Sequence, residues 1–89
     1  MPTTLCIRDL ASKTNSESLK YAFSAFGDVE EAIVINDLFG KMGFVTYSSE
    51  HEAQTAINEM NFKFLDGRII QVDFNAAWHI KSSARVLPS

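Results

Sequence analysis

Along Gly40-Lys41-Met42-Gly43-Phe44-Val45-Thr46-Tyr47, small, aromatic and β-branched residues interleave with a period of two, the spacing of a strand that buries one face. Gly43, Val45 and Tyr47 fall on one side, and Met42, Phe44 and Thr46 on the other. With the first set in a core, Phe44 stands in solvent at mid-strand. Thr4 to Arg8 alternates in the same way, with Leu5 and Ile7 opposed to Cys6 and Arg8. Val29 to Ile35 sets Ala32 and Val34 against Glu31, Ile33 and Ile35, and Ile69 to Phe74 reads as a last strand in which Ile70, Val72 and Phe74 alternate.

Between these strands the period lengthens to that of a helix. Leu19, Ala22, Phe23 and Phe26 recur at i, i+3, i+4 and i+7, one apolar stripe of a helix. Thr14-Asn15-Ser16-Glu17 has the spacing of a capping box with Thr14 as the cap, and Gly27 stands where a left-handed residue would end the helix. Ser49-Glu50-His51-Glu52 repeats the box before a second stripe of Ala53, Ala56, Ile57 and Met60. Asn36 to Gly40 supplies turn formers for an antiparallel hairpin, and Asp66-Gly67 supplies a second turn. Phe62, Phe64 and Leu65 in the last connection are available as core fillers.

The order strand, helix, strand, strand, helix, strand predicts the split βαβ arrangement of the α+β class, ferredoxin-like in topology. It is a four-stranded antiparallel sheet with both helices on one face. Its other face is left bare. There the alternation puts Cys6, Arg8, Ile33, Ile35, Met42, Phe44, Thr46, Gln71 and Asp73, a mostly apolar surface of the kind that marks an interaction site or a place covered by another segment.

The totals limit the alternatives. At 89 residues with 46% hydrophobic and 21% charged residues, the chain fits one ordinary folded domain, read as residues 1–75, followed by a tail over residues 76–89. The longest apolar run, Ala32 to Ile35, is far short of the roughly 20 residues a membrane helix needs, so no membrane partner is expected. The first residues lack the basic-then-apolar succession of a secretory signal, and one cysteine forms neither a disulfide nor a metal pair. Cys6 is read as a small, half-exposed strand residue, and the protein as intracellular, in nucleus, cytoplasm or an organelle. His51 and His79 have no cysteine companion at ligand spacing, so neither a metal nor a cofactor is expected.

Net charge is −3, unevenly spread. The tail holds Lys81 and Arg85 and no acid, which leaves six cations against eleven acids in residues 1–74. An acidic body is a poor partner for a phosphate backbone and argues against strong nonspecific nucleic-acid binding, although local patches act independently of the total.

With the first and third strands in place, the chain resembles the RNA recognition motif family over about residues 3 to 75. Leu5-Cys6-Ile7-Arg8-Asp9-Leu10 looks like the family's hexapeptide motif and Gly40 to Tyr47 like its octapeptide motif. Leu19, Phe23 and Phe26-Gly27 match its first helix, and Asp66-Gly67-Arg68 the approach to its last strand. The resemblance implies that single-stranded RNA lies across the open sheet, bases stacked on exposed aromatics. Of the three positions that normally carry those rings, here Cys6, Met42 and Phe44, only Phe44 keeps one. Gly40 stands where the family usually has Arg or Lys, Lys41 where it has Gly, and Asp9 where it has Asn. At roughly 1–3 kcal/mol per base stack, two missing platforms remove about 2–6 kcal/mol, an upper figure because Met and Cys keep some contact. Binding through Phe44, Met42, Cys6, Arg8, Lys41, Gln71 and Asn75 is therefore expected to be weak or short in footprint, in a role in RNA processing or metabolism.

Alternatives remain open at this point. Trp78 and Ile80 of the tail could fold back over Met42 and Ile33, or Trp78 could stack on a base or reach a partner protein. The apolar sheet, through Ile33 and Trp78, or the acidic helical face could instead dock a protein in an RNA-processing complex. Catalysis is not expected. Small acylphosphatases of this topology bind phosphate at a glycine-rich loop after the first strand, whereas Asp9-Leu10-Ala11-Ser12-Lys13-Thr14 contains no glycine, and no nucleophile and base can be paired.

Overall fold

Alternating apolar positions put the chain's first strand at the centre of the sheet. In this computed structural model, which describes residues 2–38 and 40–75, β1 (Thr3–Leu10) lies between β3 (Gly40–Tyr47) and β6 (Gln71–Phe74), and β2 (Val29–Asp37) flanks β3. Neighbouring strands are antiparallel, with Leu5 opposite both Val45 and Phe74 and Ala32 opposite Val45. The readings for residues 76–89, Trp78 and Ile80 included, lie outside the described residues.

Helices α1 (Ser16–Phe23) and α2 (Glu50–Met60) cover one face of this sheet. Leu5, Ile7, Val45, Tyr47 and Val72 from the strands meet Leu19, Phe23, Ala53 and Ala56 from the helices. Each large side chain buried here contributes about 1.5–3 kcal/mol. Gly43 allows the closest approach: a Cβ at that position would stand 2.6 Å from Leu19 Cδ2. Tyr47 is wholly buried, yet its hydroxyl finds a partner by donating to the Phe23 carbonyl at 2.5 Å, where α1 ends. Burial, with a smaller contribution from the nearby Glu52 charge, pushes the Tyr47 phenol well above its ordinary ionisation range. Among the described residues no helix is long and apolar enough to cross a membrane.

Several local expectations are corrected. The cap of α1 is Asn15, not Thr14: Asn15 Oδ1 accepts from the Ser18 amide at 2.8 Å, and Ser18 Oγ accepts from the Asn15 amide at 3.0 Å. Thr14 is buried and its hydroxyl is taken by a distant partner, donating to Asp66 Oδ2 at 2.6 Å. Gly27 does not close the helix in a left-handed conformation. Its backbone is extended (φ 160°, ψ −169°), and the helix end tightens into a 3-10 turn over Ser24–Phe26. Space explains the glycine, since a Cβ there would come within 2.6 Å of Glu52 Cβ. Half of the second capping box forms. Ser49 Oγ accepts from the Glu52 amide at 3.3 Å, while the Glu52 carboxylate accepts from the Asp28 amide, also at 3.3 Å.

Phe62 and Phe64 are not core residues; they are 66% and 71% exposed. Phe62 takes a positive φ of 63°. Phe64 belongs to a short hairpin of β4 (Phe64–Leu65) and β5 (Arg68–Ile69), in which it pairs with Ile69 while Leu65 packs against the core. The hairpin turns at Asp66 (φ 53°) and Gly67 (φ 90°), the two positive values that a tight type I′ turn requires. The expected strand from Ile69 is thus split. Ile70 is fully buried between the pieces, its amide bonded to the Lys63 carbonyl at 2.9 Å, and the sheet strand starts at Gln71.

Candidate nucleic-acid interface

The pleat and the registers arrange the open face in rows. One row runs Ile33, Phe44, Cys6, Asp73 across the four strands, with Thr46 and Thr4 beside it joined through their hydroxyls at 2.9 Å. Ile35 stands opposite Met42, and Arg8 opposite Gln71. Phe44 and Met42 are half-buried, while Ile33 and Ile35 are each 40% exposed. The face therefore offers one ring flanked by an aliphatic side chain, a surface onto which a flat apolar group can stack. Cys6 corrects the expectation of a half-exposed residue. It is 7% exposed, because its short side chain lies in the row between the larger Phe44 and Asp73. Little of it is left for a ligand.

The polar candidates separate into free and engaged groups. Arg8 is exposed and has no hydrogen-bond or ion-pair partner among the described residues, Asp73 included; its planar fork is available for phosphate or base edges. Gln71 is exposed and donates from Nε2 to Asp9 Oδ2 at 2.9 Å, leaving its amide oxygen open. Asn75 extends the sheet edge through its amide, which donates to the Thr4 carbonyl at 3.0 Å, and its side-chain Oδ1 is buried with no hydrogen-bond partner among the described residues. Lys41 is not on the open face. Alternation turns it away, and its ammonium donates to the Ser12 carbonyl at 2.7 Å and the Thr14 carbonyl at 3.0 Å.

That displacement creates a feature the alternation does not reveal. Where β1 ends, Asp9 adopts φ 63° within a bulge, and a cleft of about 250 Å³ opens between Asp9, Leu10, Ser12, Asn36, Lys41 and Arg68. Arg68 reaches it from β5, an element that sequence periodicity does not separate from the last strand. Among the described residues no three His, Cys, Asp or Glu side chains converge as metal ligands would.

A family model for the RNA recognition motif matches residues 5–71, most of the chain, with all of β3 and most of β1. The chain belongs to the RNA recognition motif family. Glycine-rich RNA-binding protein 8 of Arabidopsis thaliana is 48% identical over 68 residues, covering 72% of this chain and 40% of the relative. Glycine-rich RNA-binding protein 4, mitochondrial, of the same plant is 44% identical over 77 residues, covering 82% of this chain and 57% of the relative. The chain thus spans about half the length of these relatives. Among solved structures, the third such domain of Mip6 superposes with a TM-score of 0.77 at 24% identity, over 82% of this chain and 93% of that one, a likeness of fold. In this RNA recognition motif the helix-covered face and four-stranded antiparallel sheet are those expected from the alternation, and the ring-poor open face is its departure from the family pattern.

Proposed function

We propose that this domain is a binding module, without catalytic activity, that holds single-stranded RNA across its open sheet in RNA processing or metabolism. Phe44 is the stacking platform, Met42 and Ile33 flank it, and Arg8 with Gln71 and Asn75 addresses phosphates and base edges. The observation that carries this reading is the Phe44 ring at mid-sheet on the face the helices leave bare. The names of these two relatives, both glycine-rich RNA-binding proteins, support it. With one ring the footprint is short and the affinity modest. The two plant relatives are roughly one and a half to two times as long, so further RNA contacts in a longer protein are compatible with a weak single domain.

The test is a fluorescent single-stranded oligonucleotide pool titrated against the chain at several salt concentrations. Binding in the micromolar range that weakens with salt is expected. Phe44→Ala should weaken it about 5- to 150-fold, the loss of one stack of roughly 1–3 kcal/mol, whereas Phe44→Tyr keeps a ring and most of the affinity. Absence of binding at low salt, or equal binding by Phe44→Ala, would sink the reading.

A further inference from the structure

We propose that the cleft between the β1 end, Lys41 and the β4–β5 hairpin is a second nucleotide site, taking a backbone phosphate and its nucleoside from an RNA strand that leaves the sheet. The proposal rests on the RNA reading above and adds a site off the sheet to it. Arg8 is the one cation that alternation puts on the open face among the described residues, so the sheet itself is poor in phosphate partners. The cation of β3 lies instead on the other side of the strand. Lys41 is held there by two carbonyls, at 2.7 and 3.0 Å. Carbonyls orient an ammonium without neutralising it, and the third N–H has no partner among the described residues. The rotamer freedom that a lysine normally loses on binding is already lost.

Arg68 completes the charge. It is exposed, lines the same cleft, and its guanidinium has no partner among the described residues. Among the described residues Asp9 is the one carboxylate in the lining, and it accepts from Gln71 at 2.9 Å, so there two cations face a single, engaged acid. A planar fork beside a fixed ammonium suits a phosphate better than a neutral group. The exposed Asn36 amide supplies an edge partner for a base. At about 250 Å³ the cleft falls below the roughly 300–1,000 Å³ of sites for larger small molecules, a size that suits a phosphate with part of its nucleoside.

Two features make the cleft pre-formed and continuous with the sheet. The 2.6 Å bond from Thr14 to Asp66 ties the loop after β1 to the hairpin turn, which fixes the spacing between the Lys41 and Arg68 sides. Arg8 on the sheet directly precedes Asp9 in the wall, so a strand stacked at Phe44 and running past Arg8 arrives at the opening.

The intact 89-residue chain is titrated with single-stranded oligonucleotides of about three and about eight nucleotides, the first long enough only for the sheet. Arg68→Ala should weaken the longer one roughly 5- to 10-fold, lower its log–log salt slope by about 0.7, and leave the shorter one unchanged. Phe44→Ala should weaken both. Loss on Phe44→Ala with no effect of Arg68→Ala on the longer strand would overturn this site and leave the functional reading standing. Failure of the wild type to bind either strand would overturn both. An acidic peptide whose binding depends on Arg68, with RNA binding indifferent to it, would assign the cleft to a protein and also overturn the proposal.

Discussion

Replacing Gly43 with alanine sets two opposed effects against each other at the point where α1 meets the sheet. Alanine limits the unfolded chain more than glycine does, a gain of roughly 0.5–1 kcal/mol in a strand. Against that, the new Cβ would stand 2.6 Å from Leu19 Cδ2 and 3.1 Å from both Leu10 Cδ1 and the Ile33 carbonyl oxygen. Carbon contacts settle near 3.5–4.0 Å, so Leu19 must retreat by about 1 Å. Leu19 is fully buried and Leu10 nearly so, and the Ile33 oxygen is backbone; little room exists for the retreat. Overpacking of this kind costs about 1–3 kcal/mol, which outweighs the gain and leaves a net loss of about 0.5–2 kcal/mol. Urea unfolding followed by far-ultraviolet circular dichroism measures it. Leu19→Ala alone should cost about 2–5 kcal/mol, and the double variant should cost less than the two singles together by more than about 0.5 kcal/mol, because the Cβ enters the space that Leu19 vacates. A Gly43→Ala protein as stable as the wild type, or strict additivity in the double variant, would refute the steric account.

Tyr47→Phe should destabilise the domain by about 1–3 kcal/mol at neutral pH, since it leaves the Phe23 carbonyl without its buried donor. The phenol ionises at higher pH in the folded than in the unfolded chain, so its stability contribution is complete below the unfolded value near 10 and is lost as pH rises through and beyond it. Urea midpoints between about pH 8 and 11 should fall more steeply for wild type than for Tyr47→Phe, approaching 1.4 kcal/mol per unit above about 10; parallel curves would contradict this. Thr14→Val keeps the shape but removes the donor to Asp66, and a loss of about 1–3 kcal/mol in the same unfolding assay is expected.

The parts of the fold legible in the sequence are those dictated by near neighbours. A pleat forces Leu5 and Ile7, or Val45 and Tyr47, to one side whatever the rest of the chain does, and a stripe such as Leu19, Ala22 and Phe23 has one way to face a sheet. The misread positions are those decided by a distant partner. Thr14 is a good cap by type, but Asp66 claims its hydroxyl; Gly27 is a good helix stop by type, but Glu52 dictates its need for space. Hydrophobicity alone does not separate Leu65 from Phe64, because the hairpin turn at Asp66-Gly67 decides which one faces in. The site followed the same rule. Phe44, Met42 and Arg8 were placed by alternation, whereas the cleft depends on Lys41 and Arg68 lining one space from two distant parts of the chain, a juxtaposition that no period encodes.

The position of β1 has a consequence for biosynthesis. Within this domain it is the first strand to be synthesised, and both of its neighbours, β3 and β6, come from later in the chain. At roughly 5–20 residues per second, several seconds separate the emergence of Leu10 from that of Gln71. Until then Ile7 has no edge on the β6 side to pair with, and the wall that Arg68 gives the cleft has not been made. β1 therefore acquires its first sheet pairing through β3, and the four-stranded sheet is completed only once β6 has been made.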